Sequence, residues 1–543
     1  MPSVPIRRPV LPLAVSLLAL SATTALAAPR TDPAPTVRLE PLGTHAGGAF
    51  DESAAEVVAH DPRTQTVFVV NADAGTVDLL DVADPTDPTL VGTVPSPLAG
   101  GSANSVAVVG GVVAVVVAAD PVTEPGVLSL YRAEELVAGR TAPEVVLPVG
   151  ANPDMVTFTP NGRTVLVANE GEPNDEYTID PEGSVSIVDL RGPLSRLRPS
   201  DVRTATFEAF EGDALPEGVR VFGPGASVSQ DLEPEYVTVT RDGRTAYVSL
   251  QENNAIAVVD IRTATVTDLL PLGTKDHGVP GNELDPSDRD GRIAIASWPV
   301  VGLFQPDAIA TYRVGGEDLI VTANEGDARD YDAFSEEVRA RDLPLCADAF
   351  PAGIQADDRL GRLRVTDTLG EREGEGCFET LHAYGARSMS IFGADGRLVY
   401  DSGATYERTI AGLIESGELP RDAFNATNSD NRSFDSRSDD KGPEPEGVVL
   451  GTVAGRSYAF VGLERVGGVM VHDVTDPSDV RLVTYATTRD FSFPAEDPHA
   501  GDLGPEGLLF VRASDSPTGR PMLVVGNEVS GTTTLFDVVV STR

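Results

Sequence analysis

Between residues 439 and 473 the chain alternates short apolar runs with turns. Pro445-Glu446 leads into VVLGTV, Gly455-Arg456 into YAFVGLE, and Gly467-Gly468 into VMVHDV. Runs of this length, rich in Val, Tyr and Phe and separated by glycine-containing turns, predict three antiparallel strands. Helix-period patterns are scarce, the main candidates being residues 134–139 and 333–341.

The same order recurs along most of the chain, which predicts a repeat architecture. A first strand follows an acid-containing turn in EVVAHD (Glu56), PDMVTFTP (Asp154), PEYVTVTRDG (Glu235), PDAIATYR (Asp307), PEGVVLG (Glu446) and PEGLLFVR (Glu506). A weaker copy, NSVAVVGG, has Asn104 at that position. Second strands follow as TVFVVNA, VVAVVVAA, TVLVANE, TAYVSLQE, DLIVTANE, YAFVGLE and MLVVGNE, and third strands as TVDLLDV through to TTLFDVV. Fourth strands number one fewer. The missing one is supplied by TVRLEPLGTH near residue 40, which is similar to VTDLLPLGTKD in the fourth unit. A terminal strand that completes the last unit hides the unpaired edge an open ring would leave. The expected fold is therefore all-β, a seven-bladed β-propeller closed by the N-terminal strand. A solenoid or two sandwiches would not account for the terminal strand. Acidic loop insertions interrupt the repeat at residues 171–183, 275–305, 326–385 and 404–442, and long loops on a rigid scaffold tend to carry function.

The ends and the composition narrow the picture. Arg7 and Arg8 precede VLPLAVSLLAL and then Ala25-Leu26-Ala27, the pattern of a secretory signal peptide over residues 1–27. Residues 28–543 would then form one propeller domain, with its largest insertion at about 326–385. No later stretch is apolar enough to span a bilayer, and no hydrophobic tail ends the chain. These features predict a secreted protein, extracellular or in the cell envelope. The 53 glycines and 42 prolines suit an all-β chain with many turns. The formal net charge of −42 argues against nucleic acid and anionic lipid as partners and favours divalent cations. An acidic surface kept for solubility is the plainer reading. The two cysteines, Cys346 and Cys377, lie in one insertion and read as a disulfide closing a long loop. A two-cysteine metal site lacks a Cys-x-x-Cys or a paired His to support it.

In a four-stranded antiparallel blade, the connection into the first strand and the one leaving the second lie on the same face. The residues before the first strands are Glu56, Asn104, Asp154, Glu235, Asp307, Glu446 and Glu506. Those after the second strands are Ala72, Ala119, Glu170, Gln251, Glu325, Glu464 and Glu528. Ten carboxylates would meet at one channel mouth. Two unit charges 4 Å apart repel by about 1 kcal/mol even in water, so such a rim needs counter-charge. Ca²⁺, with its tolerance for irregular all-oxygen sites, is one remedy. Arg387, Arg437, Lys441 and Arg465, in or beside the same connections, are another and could bind an anion. A Pro-Glu turn can also use its carboxylate merely to cap backbone N–H groups. NEGEPNDEYTIDPEG and NEGDARDYD add further acids to this face. LDPSDRDG fits a calcium loop badly. No nucleophile elbow, zinc-protease helix or phosphate loop is present, and the six histidines are scattered.

The segments ANEGEPNDEYTIDPEGSVSIVDL, QPDAIATY, TANEGDARDYD, FDSRSDDKGPEPEG and FVGLERVGGVMVHDVTDP resemble the choice-of-anchor I domain family, related to mesenchyme-specific cell-surface glycoproteins of biomineralising animals. The resemblance implies a secreted or surface-attached propeller of the YVTN/WD40-like kind. Some bacterial relatives carry an alkaline phosphatase label, and propeller phytases have acid-lined, calcium-loaded channels. Two functions follow as expectations. One is a Ca²⁺-binding extracellular module that contacts a protein, glycan or mineral surface. The alternative is a metal-dependent phosphoesterase, which needs a cation such as Arg387 or Lys441 facing the metal.

Overall fold

The strands that the sequence marks as unbroken apolar runs are buried on both sides. Every residue of Thr66–Asn71, Thr164–Asn169, Ser388–Gly393 and Met522–Asn527 is buried. An outer strand such as Thr89–Val94 is mostly exposed. That difference is what stacked sheets produce: an inner strand is covered above and below by its neighbours, and an outer strand meets water.

A computed structural model describes Met1 and residues 36–541. The signal-peptide reading, residues 1–27, lies outside the described residues apart from Met1. The described chain is all-β, built on seven four-stranded antiparallel sheets. Six run in sequence order, beginning with the inner strands Val58–Asp61, Ser102–Val109, Pro153–Phe158, Pro234–Val239, Ile309–Val314 and Pro445–Val453. The seventh consists of Pro505–Val511, Met522–Asn527, Thr532–Ser541 and, as its outer strand, β1 (Thr36–Ala46). β1 pairs antiparallel with Thr532–Ser541 from Thr36 opposite Ser541 to Ala46 opposite Thr532. Each inner strand contacts the inner strand of the next sheet, and that of the seventh contacts that of the first.

Turn chemistry fixes the registers. Val453 faces Arg456 across the two-residue loop Ala454-Gly455, whose φ values of 50° and 78° are those of a type I′ turn. The turn is thus one residue earlier than the Gly455-Arg456 pair suggests, and Arg456 opens the next strand.

Apolar clusters fill the gaps between sheets. One joins Val37 and Leu39 of β1 to Tyr458, Phe460, Leu523 and Phe536 of the sixth and seventh sheets. The insertion at 326–385 has its own small core, in which Leu343, Leu360, Leu363, Val365 and Phe378 pack with Leu284 and Val300. The Cys346–Cys377 disulfide, Cα–Cα 5.1 Å, closes it. Two local expectations need correction. Residues 333–341 are not helical but form short strands, Phe334–Ser335 and Glu337–Arg339, leading into a 3-10 turn. A helix the pattern did not suggest, Thr405–Ser416, packs Tyr406 and Ile410 against the fifth and sixth sheets. No helix among the described residues is long and apolar enough to cross a membrane.

Candidate functional site

The inner strands enclose a central cavity of about 1020 Å³. All ten carboxylates named from the repeat line it: Glu56, Asp154, Glu170, Glu235, Asp307, Glu325, Glu446, Glu464, Glu506 and Glu528. Local backbone irregularity places four of the six acids of the first series. Strand register shifts between Pro153 and Val156, Pro234 and Val237, Pro445 and Val448, and Pro505 and Leu508. Each shift spans a Pro-acid pair, so the acid sits in a bulge, a device that re-aims a side chain. The glycine of Pro-Glu-Gly has its own reason. A Cβ on Gly447 would lie 2.1 Å from the Glu506 carbonyl oxygen, and one on Gly507 would lie 2.3 Å from that of Glu56. The rim therefore packs backbone to backbone from one sheet to the next.

Within the rim the acids form three close groups. Glu56, Glu506 and Glu528 bring carboxylate oxygens within 4.8 Å of one another, as do Asp307, Glu325 and Glu446, and also Glu325, Glu444 and Glu464. The third group is neutralised by the chain itself. Lys441 Nζ lies 2.6 Å from Glu325 and 3.4 Å from Glu444, and Arg465 lies 3.1 Å from Glu444 and 3.0 Å from Glu464. Arg437 contacts Glu444 at 2.7 Å. Burial pushes the Glu444 carboxyl up, but Arg437, Lys441 and Arg465 outweigh it and hold the group down at about 2.

Among the described residues the Glu56, Glu506 and Glu528 group has no such ion pair, and in the Asp307, Glu325 and Glu446 group only Glu325 is paired, with Lys441. Burial, then the Glu528 carboxylate, raises Glu56 to about 8. Burial, then the Glu172 carboxylate, raises Asp154 to about 7. Burial followed by neighbouring carboxylates pushes Glu235, Asp307, Glu446 and Glu506 well above the ordinary range. Glu235, Glu446 and Glu506 each keep one buried carboxylate oxygen with no hydrogen-bond partner among the described residues. An all-oxygen donor set with unmet acceptors fits a hard divalent cation.

Of the four basic residues considered for anion binding, Lys441 and Arg465 line the cavity, and both are paired with carboxylates. Arg387 and Arg437 do not line it. Arg387 is buried, pairs with Glu407 at 2.7 Å and donates to the carbonyls of Asp285, Ser438 and Asp440. Of the two acidic insertions, Asp327 reaches the cavity. Sequence reasoning missed Glu444, although the doubled Pro-Glu of GPEPEG pointed to it. It also missed Glu252, which follows the rim residue Gln251 and has an unpartnered buried oxygen.

Residues 56–477 match the model of the choice-of-anchor I domain. The chain belongs to that family. The matched span of the choice-of-anchor I domain ends before Glu506 and Glu528. The chain is 30% identical over 194 residues to Gigasin-3a of Magallana gigas, covering 34% of this chain and 66% of that protein. It is 32% identical over 316 residues to the mesenchyme-specific cell surface glycoprotein of Strongylocentrotus purpuratus, covering 52% of this chain and 38% of that one. It thus spans less than two thirds of either relative. Similar solved structures include Kuenenia stuttgartiensis hydrazine synthase, with TM-score 0.45 and 13% identity over 91% of this chain and 98% of that one. Streptogramin B lyase aligns with TM-score 0.44 and 8% identity over 93% and 98%.

Proposed function

We propose that this choice-of-anchor I domain is an extracellular or surface-associated binding module, a seven-bladed propeller whose acidic channel mouth holds Ca²⁺. The cyclic order of inner-strand contacts and the pairing of β1 with the last sheet support the closed ring. The observation that carries the cation is the group Glu56, Glu506 and Glu528, three carboxylates in mutual reach with, among the described residues, no lysine or arginine paired to Glu56 or Glu506. These residues, with Asp307 and Glu446 beside them, would hold the metal, which would supply the positive charge the rim lacks. The family match and the cell-surface relative support an extracellular setting. A protein, glycan or mineral surface that offers its own oxygen ligands is the partner class this chemistry suits. The phosphoesterase reading is less well supported. It needs a cation free to meet a phosphate, and Lys441 and Arg465 are already engaged.

Calorimetry with Ca²⁺ tests the proposal. Wild-type protein should bind Ca²⁺, and binding should raise the melting temperature, by about 2.7 kcal/mol of stabilisation at a hundredfold excess over Kd. Glu506→Gln with Glu528→Gln should remove the rim site. An absence of binding heat, with a melting curve unmoved by chelator, would reassign the rim to capping and internal pairing.

A further inference from the structure

On the side of the fifth and sixth sheets, the acidic mouth already holds an ammonium group. Lys441 Nζ stands among three acids, 2.6 Å from Glu325, 3.4 Å from Glu444 and 3.5 Å from Asp327. The third and fourth sheets bring two further acids to the same cavity, Asp154 and Glu235. Among the described residues no lysine or arginine pairs with either. The charges acting on them come from other acids: Glu172 on Asp154, and Glu252, Asp307, Glu170 and Asp154 on Glu235. Glu235 is 7% exposed, and its Oε2 is buried with no hydrogen-bond partner among the described residues. Such an oxygen carries a desolvation penalty that a positive donor facing it would relieve.

A single metal ion is a poor fit for this pair. Neither Asp154 nor Glu235 belongs to a trio of acids whose oxygens lie within 4.8 Å of one another. A Ca²⁺ ion needs several oxygens converging on one point. An ammonium group needs only one acceptor for each N–H, and a chain of methylenes can carry several such groups to separate carboxylates. The cavity, at about 1020 Å³, is far larger than one ion and matches the upper range of small-molecule sites. Met155 and Tyr236, which follow the two acids, also line it. They offer an apolar surface for methylenes, and the tyrosine ring offers a π face for a cation. We propose that the channel binds a linear aliphatic oligoamine, its ammonium groups paired with Asp154 and Glu235 and its methylenes against Met155 and Tyr236. The site repeats, with a ligand, what Lys441 does with a side chain across the mouth. It leaves Glu56, Glu506 and Glu528 to Ca²⁺ and does not depend on Ca²⁺ binding there.

The test uses the full chain in calcium-free buffer, with the triamine spermidine as probe and propylamine as its single-charge control. Calorimetry should show one spermidine per chain, bound at least tenfold more tightly than propylamine. Asp154→Asn with Glu235→Gln should weaken spermidine at least tenfold. In separate titrations the same variant should bind Ca²⁺ as wild type does. Spermidine binding without any Ca²⁺ heat would support this site and remove the Ca²⁺ reading alone. No spermidine heat would overturn the proposal. So would an affinity the double variant leaves unchanged, because the net charge of −42 would then be attracting the amine diffusely. A variant that loses Ca²⁺ but keeps spermidine would overturn it too, since the two acids would be metal ligands. If the variant does not fold, wild-type crystals soaked in spermidine and lacking density between Asp154 and Glu235 would overturn it independently.

Discussion

At the scale of single residues, burial decides what each ionisable group does. Glu446 and Glu444 stand two apart in Pro-Glu-Pro-Glu, yet their carboxyls move in opposite directions. Glu446 faces other acids, whereas Glu444 faces Lys441, Arg437 and Arg465. The repeat pattern located Glu446. It could not reveal which acids the chain neutralises, because Lys441 reaches Glu325 from a connection 116 residues further along the chain. His472 is a buried group outside any site. It is wholly buried in the third strand of the sixth sheet, neither ring nitrogen has a hydrogen-bond partner among the described residues, and burial lowers its pKa to about 4. The folded state keeps the ring neutral, while the unfolded chain takes up a proton below about 6.5. Its contribution is therefore complete above that pH and is lost as pH falls towards 4, at about 1.4 kcal/mol per pH unit within that window. Urea unfolding at pH 7, 6 and 5 should show wild type losing more stability than His472→Leu over this range. Parallel pH profiles for the two proteins would show that His472 is not the titrating group.

At the scale of elements, the strands were legible because two-sided burial writes itself as apolar runs. The insertions were not, because their order comes from tertiary contacts. Residues 333–341 stay extended because Glu336 is drawn into a buried pair with Arg220, and Glu337–Arg339 pairs with Arg364–Thr366. The helix Thr405–Ser416 has no side-chain N-cap, and a helix-disfavouring glycine, Gly412, sits within it, so its start and spacing were obscured. The cysteine pairing was readable because only two cysteines exist. Residues 346 and 377 are separated by 31 positions. In the loop-entropy model a closure of that length contributes about 3–4 kcal/mol. Replacing both cysteines by serine should raise hydrogen exchange across 340–383, where the small core of Leu343, Leu360 and Phe378 lies. Strands such as Thr164–Asn169, far from that core, should keep their protection. Loss of protection spread evenly over all sheets would mean that the insertion and the sheets unfold as one unit.

At the scale of the whole molecule, the sequence carried the count of sheets and the fate of the terminal strand, because one fourth strand was missing from the last unit and present near residue 40. It did not carry the packing that makes this strand matter. Val37 and Leu39 of β1 are 2% and 8% exposed. They sit in one apolar cluster with Val453, Tyr458 and Phe460 of the sixth sheet and Phe536 of the seventh. Removing them forfeits about 1.5–3 kcal/mol for each buried side chain and leaves Thr532–Ser541 as an open edge. The closed-ring reading makes the consequence global. Inner strands touch in cyclic order, so a weakened seventh sheet loosens its contacts with both the sixth and the first. A protein lacking residues 36–46 should melt at a lower temperature in a single transition, with hydrogen exchange rising in the first sheet as well as in the sixth and seventh. A linear stack predicts otherwise: exchange would rise at the seventh sheet and its sixth-sheet neighbour, and Val58–Asp61 would keep its protection. An unchanged melting temperature would remove the closure argument altogether.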